Sequence, residues 1–157
     1  MPGPDERLYF LLQRAANRLR TDADRRLVEA AGVTSAQLGA LFAVRAEPGM
    51  TQRRLAEVLG LRESAVTALV RRLADGGLVA KRAHPEEHRA VVLKLTGEGE
   101  DALREARPEM DRFNAEVRGL LGEEAFRATA AGLHRLAFGP DEGGGGGGGE
   151  EEERGRA

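Results

Sequence analysis

Apolar residues recur with helical spacing along most of the chain, beginning with a stripe near its start. The members of this stripe fall at i, i+3, i+4, i+7, i+8 and i+11: Leu8, Leu11, Leu12, Ala15, Ala16 and Leu19. This spacing predicts a first helix over about residues 5–31. A second helix is predicted to start after Thr34 or Ser35, whose side chains suit an N-cap, and to end before Pro48 and Gly49. Its predicted buried side consists of Leu38, Leu41, Phe42, Ala43 and Val44.

Two shorter helices follow, separated by a three-residue turn that contains Gly60. Thr51 is predicted to cap the first of them, whose inward residues are Leu55, Ala56, Val58 and Leu59. The second is predicted to begin near residues 62–64 and to end at residues 76–77. Its inward residues are Val66, Leu69, Val70 and Leu73. Two helices joined by such a turn are typical of a helix-turn-helix.

The pattern then changes to that of β-strands. Residues 78–83 and 89–96 are strand-like, and the polar residues 84–88 join them. A hairpin placed directly after a helix-turn-helix predicts a winged helix. The expected fold class is therefore mainly α with a small β-hairpin wing, and the winged helix-turn-helix lobe spans about residues 34–96.

Helical spacing resumes at Thr96 and continues almost to the end of the chain. One heptad-like seam is formed by Leu103, Ala106, Met110, Phe113, Val117, Leu120 and Leu121. Because the seam stays in phase across Pro108, a kinked helix is expected there rather than a helix end. After Gly122, a short final helix is predicted from Phe126 to Leu136. Residues 140–157 contain seven consecutive glycines and four consecutive glutamates and are predicted to be a disordered tail.

Composition and charge narrow the possible functions. The length of 157 residues suits one domain with appendages, and the absence of cysteine excludes disulfides, thiolate metal sites and thiol-based redox sensing. No run of about 18 apolar residues occurs, and no secretory apolar region is found at the start, so we expect a cytoplasmic protein without a membrane partner. The net charge is −2, but residues 51–94 carry nine basic and five acidic side chains. This local excess of basic charge favours nucleic acid as a partner.

The second helix of the predicted helix-turn-helix has a polar outer face of the kind that enters a DNA major groove. Ser64 and Thr67 are placed to reach base edges, and Ala65 or Ala68 is placed to meet a thymine methyl group. At the start of the preceding helix, backbone N–H groups favour phosphate. The predicted DNA contacts on the two helices are Thr51, Gln52, Arg53, Arg62, Ser64, Ala65, Thr67, Ala68 and Arg71. An amphipathic helix with an ordinary charged outer face is the competing interpretation.

No arrangement of residues predicts an enzyme. The stretch from His84 to His88 matches the zinc-peptidase pattern H-x-x-E-H, but that chemistry requires a helix, and Pro85 and the strand-like flanks favour a loop. The only other histidine is His134. We therefore expect no catalytic residues, no metal site and no cofactor.

Several of these segments resemble the MarR family of winged-helix repressors. They are residues 51–56 (TQRRLA), 61–73 (LRESAVTALVRRL), 76–79 (GGLV), 84–90 (HPEEHRA) and 95–97 (LTG). The likeness extends over most of residues 5–139 and implies one MarR-type domain over residues 1–139. It implies a homodimer built by helices at about residues 5–31 and 97–139, two DNA-binding lobes, and a small-molecule pocket between lobe and dimer region.

The resemblance also assigns roles to individual residues. On the wing, Arg82, His88 and Arg89 are implied to contact DNA, with Arg89 in the minor groove. The family wing has the pattern Asp-Pro-x-Asp-x-Arg, and here His84 and Glu87 replace the two acids. The family often has Arg at the position of Ala68 and an acid at that of Arg71, so its operator sequences do not transfer. The implied pocket would be lined by Leu12, Ala16, Leu38, Phe42 and parts of the 103–113 segment. Its effector would be a lipophilic organic molecule, either neutral or anionic.

We therefore expect a homodimeric transcriptional regulator that binds double-stranded DNA. It would be a repressor that a small organic effector releases from a pseudo-palindromic operator. The alternative is a winged-helix dimer that serves as a protein–protein interaction module without sequence-specific DNA binding. Titration of upstream DNA at two salt concentrations separates the two hypotheses, because phosphate contacts release counterions and weaken steeply with salt.

Overall fold

A computed structural model of the chain describes residues 7–140. The predicted tail beyond Pro140 and the first residues of the predicted first helix lie outside the described residues. Within them the elements are α1 (Leu8–Ala31), α2 (Ser35–Ala46), α3 (Gln52–Leu59), α4 (Glu63–Asp75), β1 (Val79–Ala83), β2 (Val91–Leu95), α5 (Gly97–Leu121) and α6 (Glu123–Phe138). The mainly helical fold with a hairpin wing is thereby confirmed. The chain forms two compact units, which meet in sequence between Ala115 and Glu116.

Local capping explains where the lobe helices begin. The Thr34 hydroxyl accepts the Gln37 N–H at 3.2 Å, and the Gln37 amide oxygen accepts the Thr34 N–H at 2.9 Å, which is a complete capping box. At α3 the Thr51 hydroxyl accepts the Arg54 N–H at 3.1 Å. Both predicted caps are confirmed. Gly60, with φ 63°, ends α3 and turns the chain toward α4, a conformation that costs glycine little.

The core of the first unit lies between α2, α3, α4 and the hairpin. Its largest fully buried side chains are Leu41, Leu55, Leu73, Leu93, Val33, Val44, Val66 and Val70. The predicted inward register of α4 is confirmed in full. The prediction for Val58 is wrong, because this side chain remains 39% exposed on the flank of the short α3 stripe. Every buried residue among residues 7–140 is apolar, apart from Gly99, which has no side chain.

The wing is an antiparallel hairpin in which Val79 lies opposite Leu95 and Ala83 opposite Val91. The first strand is one residue shorter than predicted and the second is three residues shorter. A third segment extends the sheet: the Gly49 N–H donates to the Leu93 carbonyl at 3.0 Å, and the Leu93 N–H donates to the Met50 carbonyl at 2.8 Å. This pairing was not predicted, because so short a segment shows no strand alternation.

The long helices are less buried than those of the lobe. In α1 only Leu27 is buried, and the helix is tied to α2 where the Asp24 carboxylate accepts the Ser35 N–H at 2.7 Å and its hydroxyl at 2.6 Å. Helix α5 continues across Pro108, as predicted. In the second unit, α6 begins at Glu123, three residues before the predicted start, with acidic side chains in its first turn that suit the helix dipole.

Candidate nucleic-acid interface and small-molecule cavity

The outer face of α4 combines small and short polar side chains. Ser64, Ala65, Thr67 and Ala68 are all exposed, while the opposite face of the helix forms the core. The Ser64 side chain makes no hydrogen bond with any part of residues 7–140, so its hydroxyl is available to an external partner. This face has the shape and chemistry that fit a DNA major groove.

Thr67 connects α4 to α3, the helix before it. Its hydroxyl donates to the Glu63 carbonyl at 2.9 Å and lies 3.3 Å from the Oε1 of Gln52 at the start of α3. Gln52 is half-buried, and Thr51 beside it is equally shielded. Sequence reasoning placed Gln52 and Thr67 at the interface separately and missed their contact, because two residues fifteen positions apart show no shared pattern.

Arginines on α3 and α4 differ in how their charges are compensated. Arg53 lies 3.8 Å from Glu57, and Arg54 lies 3.1 Å from Glu47 and 3.5 Å from Glu57. The hydrogen bond that the Arg54 guanidinium donates to Glu47 raises the pKa of Arg54 above its usual value, and the negative charges of Glu47 and Glu57 raise it further. By contrast, six other basic side chains are exposed and form no ion pair within the described part of the chain: Arg62, Arg71, Arg72, Lys81, Arg82 and Arg89. These uncompensated cations are the ones available to phosphate.

A histidine organises the tip of the wing. The ring Nδ1 of His84 accepts hydrogen bonds from the backbone N–H groups of Glu86 and Glu87, each at 3.1 Å. The backbone N–H of His84 donates to the Ala90 carbonyl at 2.9 Å. Arg89 is exposed beyond this turn, and across residues 7–140 no ion pair joins it to Glu87.

The geometry of the wing also bears on the zinc-peptidase pattern. Residues 84–88 form a loop, so His84 and His88 do not share a helix face. Within the described residues, no group of three or more acidic or histidine side chains is placed to hold a metal ion.

A cavity of about 280 Å³ lies between α1, α2 and α5, the three helices expected to form the pocket. Its walls are mostly apolar, with Leu27, Leu38, Phe42, Met110 and Phe113 contributing the large side chains. Polar groups reach it from Arg26, Ser35, Glu109 and Asn114.

The residues that line the observed cavity differ in part from the predicted lining. Leu38 and Phe42 are in it, but Leu12 and Ala16 are exposed residues of α1 two to three turns before Ala23, the first α1 residue that reaches the cavity. Ala23, Arg26 and Leu27 take their place. The position at which α2 and α5 cross α1 decides which turn of the helix is used, and no local pattern shows it.

No single helix in residues 7–140 is long and apolar enough to cross a membrane, and α1 with α2 has the length and composition of a span only as a pair bent by 67°.

Comparison with known proteins agrees with this arrangement. The MarR family model matches residues 31–90, which run from the end of α1 through α4 to the wing loop. This part of the chain is similar to the MarR family. The HTH-type transcriptional repressor MdtR of Bacillus subtilis (strain 168) is 29% identical over 110 residues, 70% of this chain and 71% of MdtR. The chain spans 64% to 71% of the length of the curated relatives that it matches.

Solved structures extend the likeness beyond the MarR lobe. The repressor CouR bound to a 23-mer DNA duplex is 28% identical, with a TM-score of 0.77 over 84% of this chain and 93% of CouR. The regulator PcaV from Streptomyces coelicolor, solved with its natural ligand, is 29% identical, with a TM-score of 0.71 over 87% of this chain and 97% of PcaV. The MarR-type relatives are transcriptional regulators rather than enzymes.

Proposed function

We propose that this chain is a homodimeric repressor that binds a pseudo-palindromic DNA operator and is released by a small organic effector. The observation that carries the DNA-binding role is the outer face of α4. It offers Ser64 and the neighbouring small side chains, and uncompensated cations flank it from Arg62 to Arg89. That CouR, a structural neighbour, has been solved on a DNA duplex supports the same role here. A DNA-binding regulator acts where the DNA is, so we also propose a cytoplasmic location.

The dimer is supported by apolar surface that each unit leaves uncovered. In the first unit, exposed large side chains run along the start of α1: Leu8, Tyr9, Phe10, Leu11 and Leu12. In the second, Leu120 is 81% exposed and Phe138 is 73% exposed, with Leu121, Leu133 and Leu136 also exposed. Large apolar side chains left exposed in such numbers indicate an interaction surface. A second copy of the chain is the occupant that this proposal assigns to them.

The effector role is supported by the cavity between α1, α2 and α5. Its volume of about 280 Å³ is just below the roughly 300–1,000 Å³ that is typical of small-molecule pockets. It touches α1 and α5, the proposed dimer helices, and α2, which belongs to the lobe. A ligand that changes how these helices pack would change the relative placement of two lobes on DNA. PcaV has been solved with its natural ligand and CouR with p-coumaroyl-CoA, which makes a ligand-responsive mechanism reasonable.

The test is a titration of the full-length protein against fluorescent DNA from its own upstream region and against a scrambled duplex, at two salt concentrations. We expect tighter binding to one upstream segment and a steep loss of affinity with salt for both duplexes, because phosphate contacts release counterions. Binding that is absent, or that does not respond to salt, would overturn the DNA-binding role and favour the winged-helix protein-interaction module.

A further inference from the structure

Three of the polar groups that reach the cavity, Arg26, Ser35 and Glu109, are already engaged by the protein itself. Arg26, which is 23% exposed, places its Nε 3.0 Å from Asp22 and its Nη1 3.5 Å from Glu109. Its guanidinium carbon also lies 5.9 Å from the centre of the Phe113 ring. The Ser35 hydroxyl donates its proton to Asp24 at 2.6 Å. The cavity therefore contains one cation, and two carboxylates compensate it.

This charge pattern determines which ligand the cavity can accept. A ligand carboxylate in a largely apolar chamber needs a cationic partner, since burying an unpaired charge is costly. Arg26 is the only cation that lines the cavity within residues 7–140, and a ligand carboxylate beside it would share the guanidinium with the carboxylates of Asp22 and Glu109. Glu109 is 14% exposed and also pairs with Arg112 at 2.5 Å, so its negative charge stays at the cavity wall. Like charges in one partly buried site repel each other, which disfavours a ligand carboxylate there.

An uncharged aromatic molecule meets none of these obstacles. Phe42 and Phe113 line the cavity with aromatic side chains, and Leu27, Leu38 and Met110 supply apolar contact. The Asn114 side chain forms no hydrogen bond in the described part of the chain, so its amide is free to orient a ligand carbonyl or amide. Building on the effector function above, we propose that the cavity selects flat, uncharged one- or two-ring molecules over their carboxylate analogues, and that Glu109 sets this selectivity.

The test uses 2-naphthamide and 2-naphthoate, which have the same ring system and differ in charge at neutral pH. Isothermal titration of each into the full-length protein should show at least tenfold tighter binding of the amide. In Glu109→Gln one carboxylate is removed and Arg26 becomes available, so the ratio of the two affinities should fall at least tenfold. Asp22→Asn should move the ratio in the same direction.

Glu105→Gln is the matched control. It removes the same charge one turn earlier on α5, from an exposed residue that does not line the cavity, so the ratio should stay at the wild-type value. Thermal melting of each variant confirms that it is folded. The proposal is overturned if wild-type protein binds the naphthoate as tightly as the amide, if neither probe binds, or if Glu109→Gln behaves like the control.

A DNA titration in the presence of the probes separates this proposal from the effector function. Selective binding of the amide without any release of DNA would overturn the effector role and leave the ligand selectivity standing. DNA release by a carboxylate that binds the cavity would leave the effector role standing and overturn the selectivity.

Discussion

Arg89 and the α4 side chains are expected to contribute to DNA binding in different ways. Arg89 is exposed on the wing loop and has no ion pair among residues 7–140, so its guanidinium is available to phosphate or to the minor groove, which distinguishes bases poorly. We predict that Arg89→Ala weakens binding to operator and scrambled DNA alike. The slope of the logarithm of the binding constant against the logarithm of salt concentration (the salt slope) should become shallower by about one per protomer. Fluorescence anisotropy over a salt series measures both. If the variant lost operator binding but retained scrambled DNA, the wing would be recognising sequence.

Thr67 and Gln52 are expected to act as one unit in base recognition. Their side chains lie 3.3 Å apart, so each limits the positions that the other can take. Thr67→Ala should cost roughly 1–3 kcal/mol on the operator, with non-specific affinity and the salt slope nearly unchanged. Gln52→Ala should have a similar effect, and the double variant should lose less than the two single losses together. A double-mutant cycle on operator DNA measures this, and strict additivity would show that the contact is irrelevant to recognition.

His84 is expected to matter through its ring nitrogen as an acceptor, because two backbone N–H groups depend on it. His84→Ala leaves the wing tip without this link, and ordering the backbone of even one loop residue costs about 1–2 kcal/mol. We predict about tenfold weaker DNA binding for His84→Ala and near wild-type binding for His84→Asn, whose amide oxygen can accept from the same turn. Glu86→Gln is the matched control, since only the backbone N–H of Glu86 takes part in this turn, and it should not weaken DNA binding. Equal losses in the Ala and Asn variants would contradict this role.

At the scale of elements, hydrogen bonds of Thr96 hold the junction between the wing and α5 together. The Thr96 hydroxyl donates to the Gly77 carbonyl at 2.6 Å and accepts the Gly99 N–H at 3.0 Å, and the Thr96 N–H donates to the Leu78 carbonyl at 3.2 Å. One residue therefore ends the hairpin, caps the long helix and holds both to the end of α4.

This junction has no space for a side chain at Gly99. A Cβ at that position would overlap the Leu78 carbonyl oxygen and crowd the Leu95 side chain. We predict that Gly99→Ala lowers the free energy of unfolding by about 1–3 kcal/mol, the usual cost of overpacking. Gly97→Ala, two residues earlier on the same helix, has no neighbour within 4 Å and should change it by less than about 0.5 kcal/mol. Urea denaturation compares them, and equal stabilities would show that the junction relaxes freely.

At the scale of the whole molecule, the exposed apolar stripes predict an obligate dimer. The protein should sediment as a dimer at micromolar concentration, and Leu133→Glu, which places a charge on α6, should shift it toward the monomer. Ala36→Glu, at an exposed position of α2 outside both stripes, should leave the dimer intact. A wild-type monomer at micromolar concentration would contradict the assembly. By two-fold symmetry the operator half-sites should be about 10 base pairs apart, or a multiple of that.

The sequence by itself determined the features that depend on neighbours a few residues apart. Hydrophobic spacing located the lobe helices and the inward face of α4, and Thr34 and Thr51 were recognisable as caps because capping acts within one helical turn. The change of period after Gly77 located the wing. The same locality placed Ser64 and Thr67 on the outer face of α4.

Only the tertiary structure decided which distant residues meet. It brought Arg26 to Glu109, linked Gln52 to Thr67, and moved the α1 side of the cavity from Leu12 and Ala16 to Ala23, Arg26 and Leu27. It also showed His84 as the acceptor of the wing turn and Val58 as exposed. Local periodicity fixes the face that a helix buries, but the point where two helices cross depends on the packing of all their neighbours at once.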